Sequence, residues 1–195
     1  MSPAGHPPDA TNAVSPVNVP NALTIARLVC VPVLAVLLAY PSARWWCAGL
    51  FVLASATDLV DGALARRYGQ VTTFGKIVDP IADKALTGVA LIGLSLLGEL
   101  WWWVTILIII REVGVTLLRL WVVRIAVIPA SRGGKAKTVA QMIAITMFLM
   151  PVAWSWWGAV TDAVMVAAVL LTLATGLDYL ITVARLRGSK TRTAG

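Results

Sequence analysis

The sequence is built around six long apolar segments joined by short polar connections. These segments cover residues 23–40, 45–65, 75–98, 101–126, 139–157 and 159–184. A helix needs about 20 mostly apolar residues to cross about 30 Å of hydrocarbon, and each segment is close to that length. Of the 195 residues, 59% are hydrophobic and 13% are charged, which leaves little for a separate soluble domain. The pattern therefore predicts an all-α, polytopic membrane protein with six transmembrane helices.

The two ends of the chain differ in composition from the apolar region. Residues 1–20 are rich in proline and small polar residues, so they are predicted to form a flexible tail. The predicted transmembrane domain covers residues 21–187, and residues 188–195 form a short basic tail. Cys30 and Cys47 lie inside apolar segments without metal-ligand spacing, and we interpret both as small apolar residues.

Basic residues are concentrated around the second and fourth connections and at the C-terminus. They are Arg66, Arg67, Lys76, Lys84, Arg124, Arg132, Lys135, Lys137, Arg185, Arg187, Lys190 and Arg192. The positive-inside rule then places these connections and both termini in the cytoplasm, as expected for a multi-pass protein of the plasma membrane. The same distribution explains the net charge of +7, so no nucleic-acid partner is expected. Most tryptophans lie near the opposite ends of the segments, as in an outer interface belt.

Four aspartates lie inside apolar segments. Asp58 and Asp61 are near the inner end of the second segment, and Asp79 and Asp83 are near the start of the third. A charge in the membrane costs at least ~3 kcal/mol, so such residues usually have a function. Each pair shares a helix face, and at ~1.5 Å per residue Asp58 matches Asp83 in depth, as Asp61 matches Asp79. Antiparallel neighbouring helices would therefore bring all four together.

Four crowded carboxylates need a compensating cation in a medium of low dielectric constant. Oxygen ligands favour hard ions, so a site for Mg²⁺ or Mn²⁺ is predicted, with two ions expected. Gly62, Ala65 and Gly75 lie one helical turn from these aspartates and leave space for a ligand. The residues alone leave two alternatives open: topology anchors paired with neighbouring basic residues, or the relay of a cation or proton transporter.

The aspartates belong to a longer motif. Residues 58–66 read Asp-Leu-Val-Asp-Gly-Ala-Leu-Ala-Arg, and residues 75–83 read Gly-Lys-Ile-Val-Asp-Pro-Ile-Ala-Asp. This pattern resembles the signature of the CDP-alcohol phosphotransferase family, and every signature position is occupied. The resemblance implies a membrane-embedded catalytic domain with the fold of that family.

The resemblance also implies roles for individual residues. Asp58, Asp61 and Asp79 would be metal ligands, and Asp83 would be a further ligand and the general base. The residues assigned to the CDP-linked donor are Gly62, Ala65, Arg66, Gly75 and Arg27. For Arg27 the alternative is a side chain that snorkels toward the membrane surface.

Other segments resemble the branch of this family that uses glycerol 3-phosphate as the acceptor. They are residues 18–27, Arg111 and Glu112 with Arg119, residues 134–138 with Gln141, and residues 175–179. Arg111 lies at least about 10 residues from either end of its segment, so it needs an anionic partner, for which Glu112 is the candidate. We predict that the acceptor phosphate is bound by Arg111, Arg119, Lys135 and Lys137. Anchoring at the inner membrane face is the alternative for the last three.

The resemblance implies an enzyme that transfers a phosphatidyl group from CDP-diacylglycerol to glycerol 3-phosphate, giving phosphatidylglycerophosphate and CMP. It also implies a homodimer surrounded by membrane lipids. Two alternatives remain at this point. One keeps the fold and donor but uses another acceptor, such as inositol phosphate. The other, from a different class, is a cation or proton transporter that uses the intramembrane aspartates.

Overall fold

The structure, a computed structural model, describes residues 19–68, 73–122 and 132–192. Side chains are described for residues 22–57, 81–118 and 133–184. These ranges contain six helices: α1 (Val19–Leu38), α2 (Arg44–Tyr68), α3 (Thr73–Leu96), α4 (Trp102–Val122), α5 (Arg132–Leu149) and α6 (Trp157–Arg192). A short 3-10 turn, Pro41–Ala43, precedes α2. The described residues include no strand, which confirms the all-α prediction.

Four helix boundaries differ most from the predicted boundaries. α1 begins at Val19, inside the predicted tail, and α6 continues to Arg192, beyond the predicted boundary at residue 187. α5 begins at Arg132 and not at residue 139, because polar residues extend this helix beyond its apolar part. It ends at Leu149 and not at residue 157, because Pro151 follows shortly after and the residue preceding a proline is disfavoured in α-helical conformation.

The core contains buried side chains from all six helices. One fully or almost fully buried residue from each is Leu34, Phe51, Leu91, Ile108, Ile145 and Ala168. α1 packs closely against α3, because a Cβ atom at Gly93 would lie only 2.5 Å from Leu38 Cδ1. Cys47 is buried and Cys30 partly buried, and both are free thiols, in agreement with their interpretation as small apolar residues.

The turn after α3 places a carboxylate beside the start of α2. Gly98 has a φ of +74°, a conformation that glycine adopts without steric cost. The following Glu99 pairs with Arg44, whose Nη2 also donates to the Phe148 carbonyl at 3.0 Å. Trp157 Nε1 donates to the Met147 carbonyl at 3.3 Å. These contacts join the start of α2, the turn before α4, the end of α5 and the start of α6 at one end of the bundle.

Many large apolar side chains lie on the outside of the bundle. Leu53 is 69%, Ile110 67% and Leu170 61% exposed, and exposed tryptophans cluster where α2, α4 and α6 begin. Among the described residues, one helical stretch, Trp157–Ala184, is long and apolar enough to cross a membrane by length and composition. Ala22–Leu38 is a shorter apolar helix. The number of six membrane spans stays a prediction.

Candidate active site

A cavity of about 320 Å³ lies between α3, α4 and α5. Its polar side chains are Asp83, Lys84 and Thr87 on α3, Glu112 on α4, and Lys137, Thr138 and Gln141 on α5. Much of the remaining wall is apolar, with Ile92 and Ile145 among its residues. The cavity therefore has a charged region that adjoins an apolar one.

Glu112 is the centre of the charged region. Lys84 Nζ lies 2.9 Å from Glu112 Oε2, and Arg111 Nη1 lies 3.0 Å from Oε1. Lys137 Nζ also donates to Oε1. Cations from α3, α4 and α5 thus meet at one carboxylate, and the sequence-based pairing of Arg111 with Glu112 is confirmed.

Arg111 extends from this carboxylate toward α6. Its Nε donates to the Thr172 carbonyl at 3.1 Å, and its Nη2 donates to Thr175 Oγ1 at 2.7 Å. A Cβ atom at Gly176 would lie 3.4 Å from Arg111 Nε, so the absence of a side chain there leaves room for the guanidinium group. Arg111 lies behind Glu112 and is not among the residues that line the cavity. Its direct role in binding phosphate stays a prediction.

The charges around Glu112 do not cancel. Among the described side chains, three cations surround one carboxylate, which leaves two positive charges, and one remains when Asp83, which lines the same cavity, is counted. Lys137 is only 4% exposed, so water screens its charge weakly. A region of this kind favours an anionic ligand, and phosphate is a suitable one because it accepts several charge-assisted hydrogen bonds.

Other basic residues that were predicted to bind substrates make no described contact with the Glu112 cluster. Lys135 is exposed and does not line the cavity, and the side chain of Arg119 lies outside the described residues. Arg27 is buried, and its Nε donates to the Ala54 carbonyl at 3.2 Å, one turn before Asp58. This burial within the helix bundle does not fit a snorkelling side chain. A contact between Arg27 and the donor stays a prediction.

The helix boundaries place the four aspartates at matching depths. Asp58 lies ten residues before the end of α2, and Asp83 lies ten residues after the start of α3. The connection of residues 69–72 is too short to return along the length of α2, so the two helices, which are in contact, run in opposite directions. Asp61 and Asp79 lie closer to the connection, again at similar distances from it. The backbone therefore agrees with the depth argument made from the sequence.

Side-chain positions are described for only one of the four aspartates. Asp58, Asp61 and Asp79 lie outside the described side chains, as do Gly62, Ala65, Arg66 and Gly75. Within the described part of the chain, no group of three His, Cys, Asp or Glu residues could hold a metal ion. Asp83 is partly buried and lies on the cavity wall, where its carboxylate offers the oxygen ligand that Mg²⁺ and Mn²⁺ prefer. This one carboxylate is compatible with a hard divalent cation, and the metal site itself stays a prediction.

The structure adds two residues to the candidate site. In the sequence Lys84 was one of the basic residues that indicate the cytoplasmic side, whereas in the structure it lines the cavity and pairs with Glu112. In the sequence Gln141 was named only with residues 134–138, as a segment that resembles one branch of the family. In the structure it lines the same cavity and is 4% exposed. The signal for Gln141 was its position four residues after Lys137, since this spacing puts both on one helix face.

The sequence and the site together define the class of protein. The model of the CDP-alcohol phosphatidyltransferase family matches residues 17–187. The chain therefore belongs to this family, and the resemblance found in its aspartate motif is confirmed.

Individual relatives specify the similarity further. The probable phosphatidylglycerophosphate synthase of Mycobacterium tuberculosis is 51% identical over 182 residues, which cover 91% of this chain and 87% of the relative. The CDP-diacylglycerol--glycerol-3-phosphate 3-phosphatidyltransferase of Rickettsia bellii is 40% identical over 83% of this chain and 93% of its own length. The enzyme of the same name from Salmonella choleraesuis is 37% identical over 84% of this chain and 93% of its own length.

Proposed function

We propose that this chain is an enzyme that transfers a phosphatidyl group from CDP-diacylglycerol to glycerol 3-phosphate, giving phosphatidylglycerophosphate and CMP. The observation that carries this proposal is the cavity that Asp83, Lys84 and Lys137 line together. A carboxylate able to accept a proton thus lies beside an excess of positive charge able to hold a phosphate. Family membership supplies the CDP-linked donor, and the names of the similar enzymes support glycerol 3-phosphate as the acceptor.

The donor site is assigned to the aspartates of α2 and α3. Asp58, Asp61, Asp79 and Asp83 would hold one or two divalent cations, Mg²⁺ or Mn²⁺, whose charge neutralises the diphosphate of the donor when they are bound. The proposed contacts to the CDP group are Gly62, Ala65, Arg66, Gly75 and Arg27. Support for this assignment comes from the matching depths of the aspartates and from the buried Arg27 beside the carbonyl of Ala54.

The acceptor site is assigned to the charged region of the cavity. Lys137 and Lys84 would bind the phosphate of glycerol 3-phosphate, with Arg119 and Lys135 as further basic groups on the same side of the bundle. Glu112 holds both lysines in position, and Arg111 holds Glu112 while its other guanidinium nitrogens bind α6. We therefore assign Arg111 to the acceptor site through Glu112.

The proposed reaction is a direct displacement at phosphorus. With the acceptor phosphate on the lysines, Asp83 takes the proton of the primary hydroxyl group. This oxygen then attacks the β-phosphorus of CDP-diacylglycerol, the bond between that phosphorus and the bridging oxygen breaks, and CMP leaves. The aligned substrates react without a covalent enzyme intermediate. The apolar part of the cavity wall limits the access of water to the charged region.

The setting proposed for this reaction is a membrane crossed by all six helices. The exposed apolar side chains support this proposal, because a surface of this kind is unfavourable in water and suits lipid. The exposed tryptophans where α2, α4 and α6 begin suit one membrane interface, and the basic connections suit the cytoplasmic side. We place the active site and both termini on the cytoplasmic side of the plasma membrane and expect a homodimer.

A reconstitution assay tests the proposal. Purified protein is given CDP-diacylglycerol and Mg²⁺ with glycerol 3-phosphate, inositol phosphate or glycerol in separate reactions. Release of CMP and formation of phosphatidylglycerophosphate are expected with glycerol 3-phosphate. Faster turnover with inositol phosphate would favour that acceptor, and equal turnover with uncharged glycerol would contradict the assigned phosphate site. The absence of CMP release with every acceptor would contradict the proposed enzyme activity.

A further inference from the structure

Gln141 has a hydrogen-bonding atom that the protein does not satisfy. The residue is 4% exposed, and its Oε1 atom is buried without a hydrogen-bond partner among the described residues. Leaving a buried polar atom unpaired costs free energy, so an unpaired atom in a folded protein needs an explanation. Gln141 lines the cavity, so its side-chain amide group lies at the edge of space that a ligand can fill.

Thr138 provides a useful contrast on the same helix and the same cavity wall. Its hydroxyl donates to the Gly134 carbonyl at 3.1 Å, one turn earlier in α5. The polar group of Thr138 is therefore satisfied within its own helix, whereas the Oε1 atom of Gln141 is not. Gln141 is therefore the side chain of the two for which a ligand could supply a missing hydrogen bond.

The position of Gln141 matches one particular group of the proposed acceptor. Gln141 follows Lys137 by four residues, so it lies on the same face of α5 and about 6 Å further along the helix. In glycerol 3-phosphate the secondary hydroxyl lies on the carbon between the phosphate-bearing carbon and the primary hydroxyl. If the phosphate binds Lys137 and the primary hydroxyl faces Asp83, the secondary hydroxyl is the remaining polar group, and Gln141 is on the same cavity wall to receive it.

We propose that Gln141 hydrogen-bonds the secondary hydroxyl of the acceptor and so selects acceptors that carry this group. The inference rests on the proposed function and goes beyond it by assigning a specificity-determining residue. A hydroxyl both donates and accepts hydrogen bonds, so it satisfies either atom of the amide. An acceptor without the hydroxyl leaves the amide unpaired, and sites built in this way discriminate strongly against such analogues.

The test compares two acceptors that differ only in the secondary hydroxyl: glycerol 3-phosphate and 3-hydroxypropyl phosphate. The value of kcat/KM for each is measured by CMP release with wild type, Gln141→Leu, Gln141→Met and the control Thr138→Val. Wild type should prefer glycerol 3-phosphate by about 10- to 100-fold, the range expected for one well-placed hydrogen bond. In both Gln141 variants the preference should fall to about threefold or less, mainly through slower reaction of glycerol 3-phosphate. Thr138→Val should retain the wild-type preference.

Thermal unfolding separates this role from a structural one. Leu and Met replace an unpaired polar group with apolar atoms of similar size, so neither variant should unfold at a lower temperature than wild type. Failure of both variants to fold would contradict the inference, because the amide would then be needed by the protein itself. The same conclusion would follow if both acceptors lost activity equally, or if the wild-type preference survived without Gln141.

The wild-type reactions distinguish this inference from the proposed function. If wild type releases CMP with glycerol 3-phosphate but does not discriminate between the two acceptors, only the role of Gln141 is wrong. If wild type releases no CMP with glycerol 3-phosphate, both the proposed function and the assignment of Gln141 are wrong.

Discussion

Two charged clusters lie in different parts of the helix bundle, and they differ in their balance of charge. Arg44 pairs with Glu99 and also donates to the Phe148 carbonyl, so one cation meets one carboxylate and joins three parts of the chain. At Glu112, three cations meet one carboxylate beside a cavity of about 320 Å³. The first cluster makes a structural connection between parts of the chain, although Arg44 Nη1 has no hydrogen-bond partner among the described residues. The second has positive charge left for a ligand.

The surroundings of the two clusters reinforce this distinction. Glu99 lines a cavity of about 120 Å³ whose other walls are mostly apolar and aromatic, with Trp101 and Phe148 among them. The larger cavity instead has Asp83, two lysines and the unsatisfied Gln141 on its walls. Ion pairs inside one helix bundle can therefore have different roles. The groups beside each pair indicate whether it supports the fold or binds a substrate.

The largest expected effect comes from removing the divalent cation or its ligands. EDTA should abolish turnover, and Mg²⁺ or Mn²⁺ should restore it, because the donor diphosphate carries charge that the protein alone does not neutralise. Asp58→Asn, Asp61→Asn and Asp79→Asn should each remove metal-dependent activity and leave membrane insertion intact, since asparagine keeps the shape and loses the charge. Glu99→Gln, a carboxylate replacement in the other cluster, is the matched control and should remain active. Full activity of any of the three aspartate variants would remove that residue from the metal site.

The next largest effect is expected at Asp83. Asp83→Asn should lower kcat by about 10²- to 10⁴-fold, because a general base acts in the transition state. The KM for CDP-diacylglycerol should change less than kcat. Steady-state kinetics with varied donor concentration measures both constants. Normal turnover with only weakened donor binding would make Asp83 a ligand without a role in proton transfer.

The smallest kinetic effect is expected in the Arg44 cluster. Arg44→Met should lower the free energy of unfolding by about 1–3 kcal/mol, because it leaves Glu99 and the Phe148 carbonyl without their partner. Glu99 retains access to solvent, which limits the loss. The KM values for both substrates should remain within about twofold of wild type, since this pair lies outside the proposed active-site cavity. Thermal unfolding in detergent and kinetics on the same preparation check the two parts. A large change in acceptor KM would show that this cluster also affects the active site.

The sequence predicted the helices more accurately than the contacts between them. Long apolar segments mark buried or lipid-facing helices directly, but the polar start of α5 has no apolar signal, so its first residues were missed. The pairing of Arg111 with Glu112 was predictable because the two are neighbours in sequence and the position demands an anion. Lys84 and Lys137 reach the same carboxylate only because α3 and α5 are rotated toward α4, and a single sequence does not specify those rotations.

In the candidate site, too, the sequence predicted the positions of residues along the helices better than the contacts of their side chains. The aspartate motif predicted the family, and the helix boundaries agree with the matching depths of the four aspartates. The convergence of the four carboxylates stays a prediction, because the side chains of Asp58, Asp61 and Asp79 lie outside the described residues. The role of Gln141 could not be read from the sequence, because an unsatisfied amide is recognised only when its surroundings are known. Arg111 was expected to face the acceptor, yet its contacts with Thr172 and Thr175 direct it toward α6.

The most direct test is to measure the KM for glycerol 3-phosphate and the KM for CDP-diacylglycerol in Lys137→Met. Methionine keeps much of the buried side-chain volume and removes the charge, while Lys84 and Arg111 still neutralise Glu112. Loss of one charge-assisted contact to phosphate should raise the KM for glycerol 3-phosphate by about 10- to 100-fold and leave the donor KM nearly unchanged. An equal or larger rise in the KM for CDP-diacylglycerol would contradict the assignment of this cluster to the acceptor.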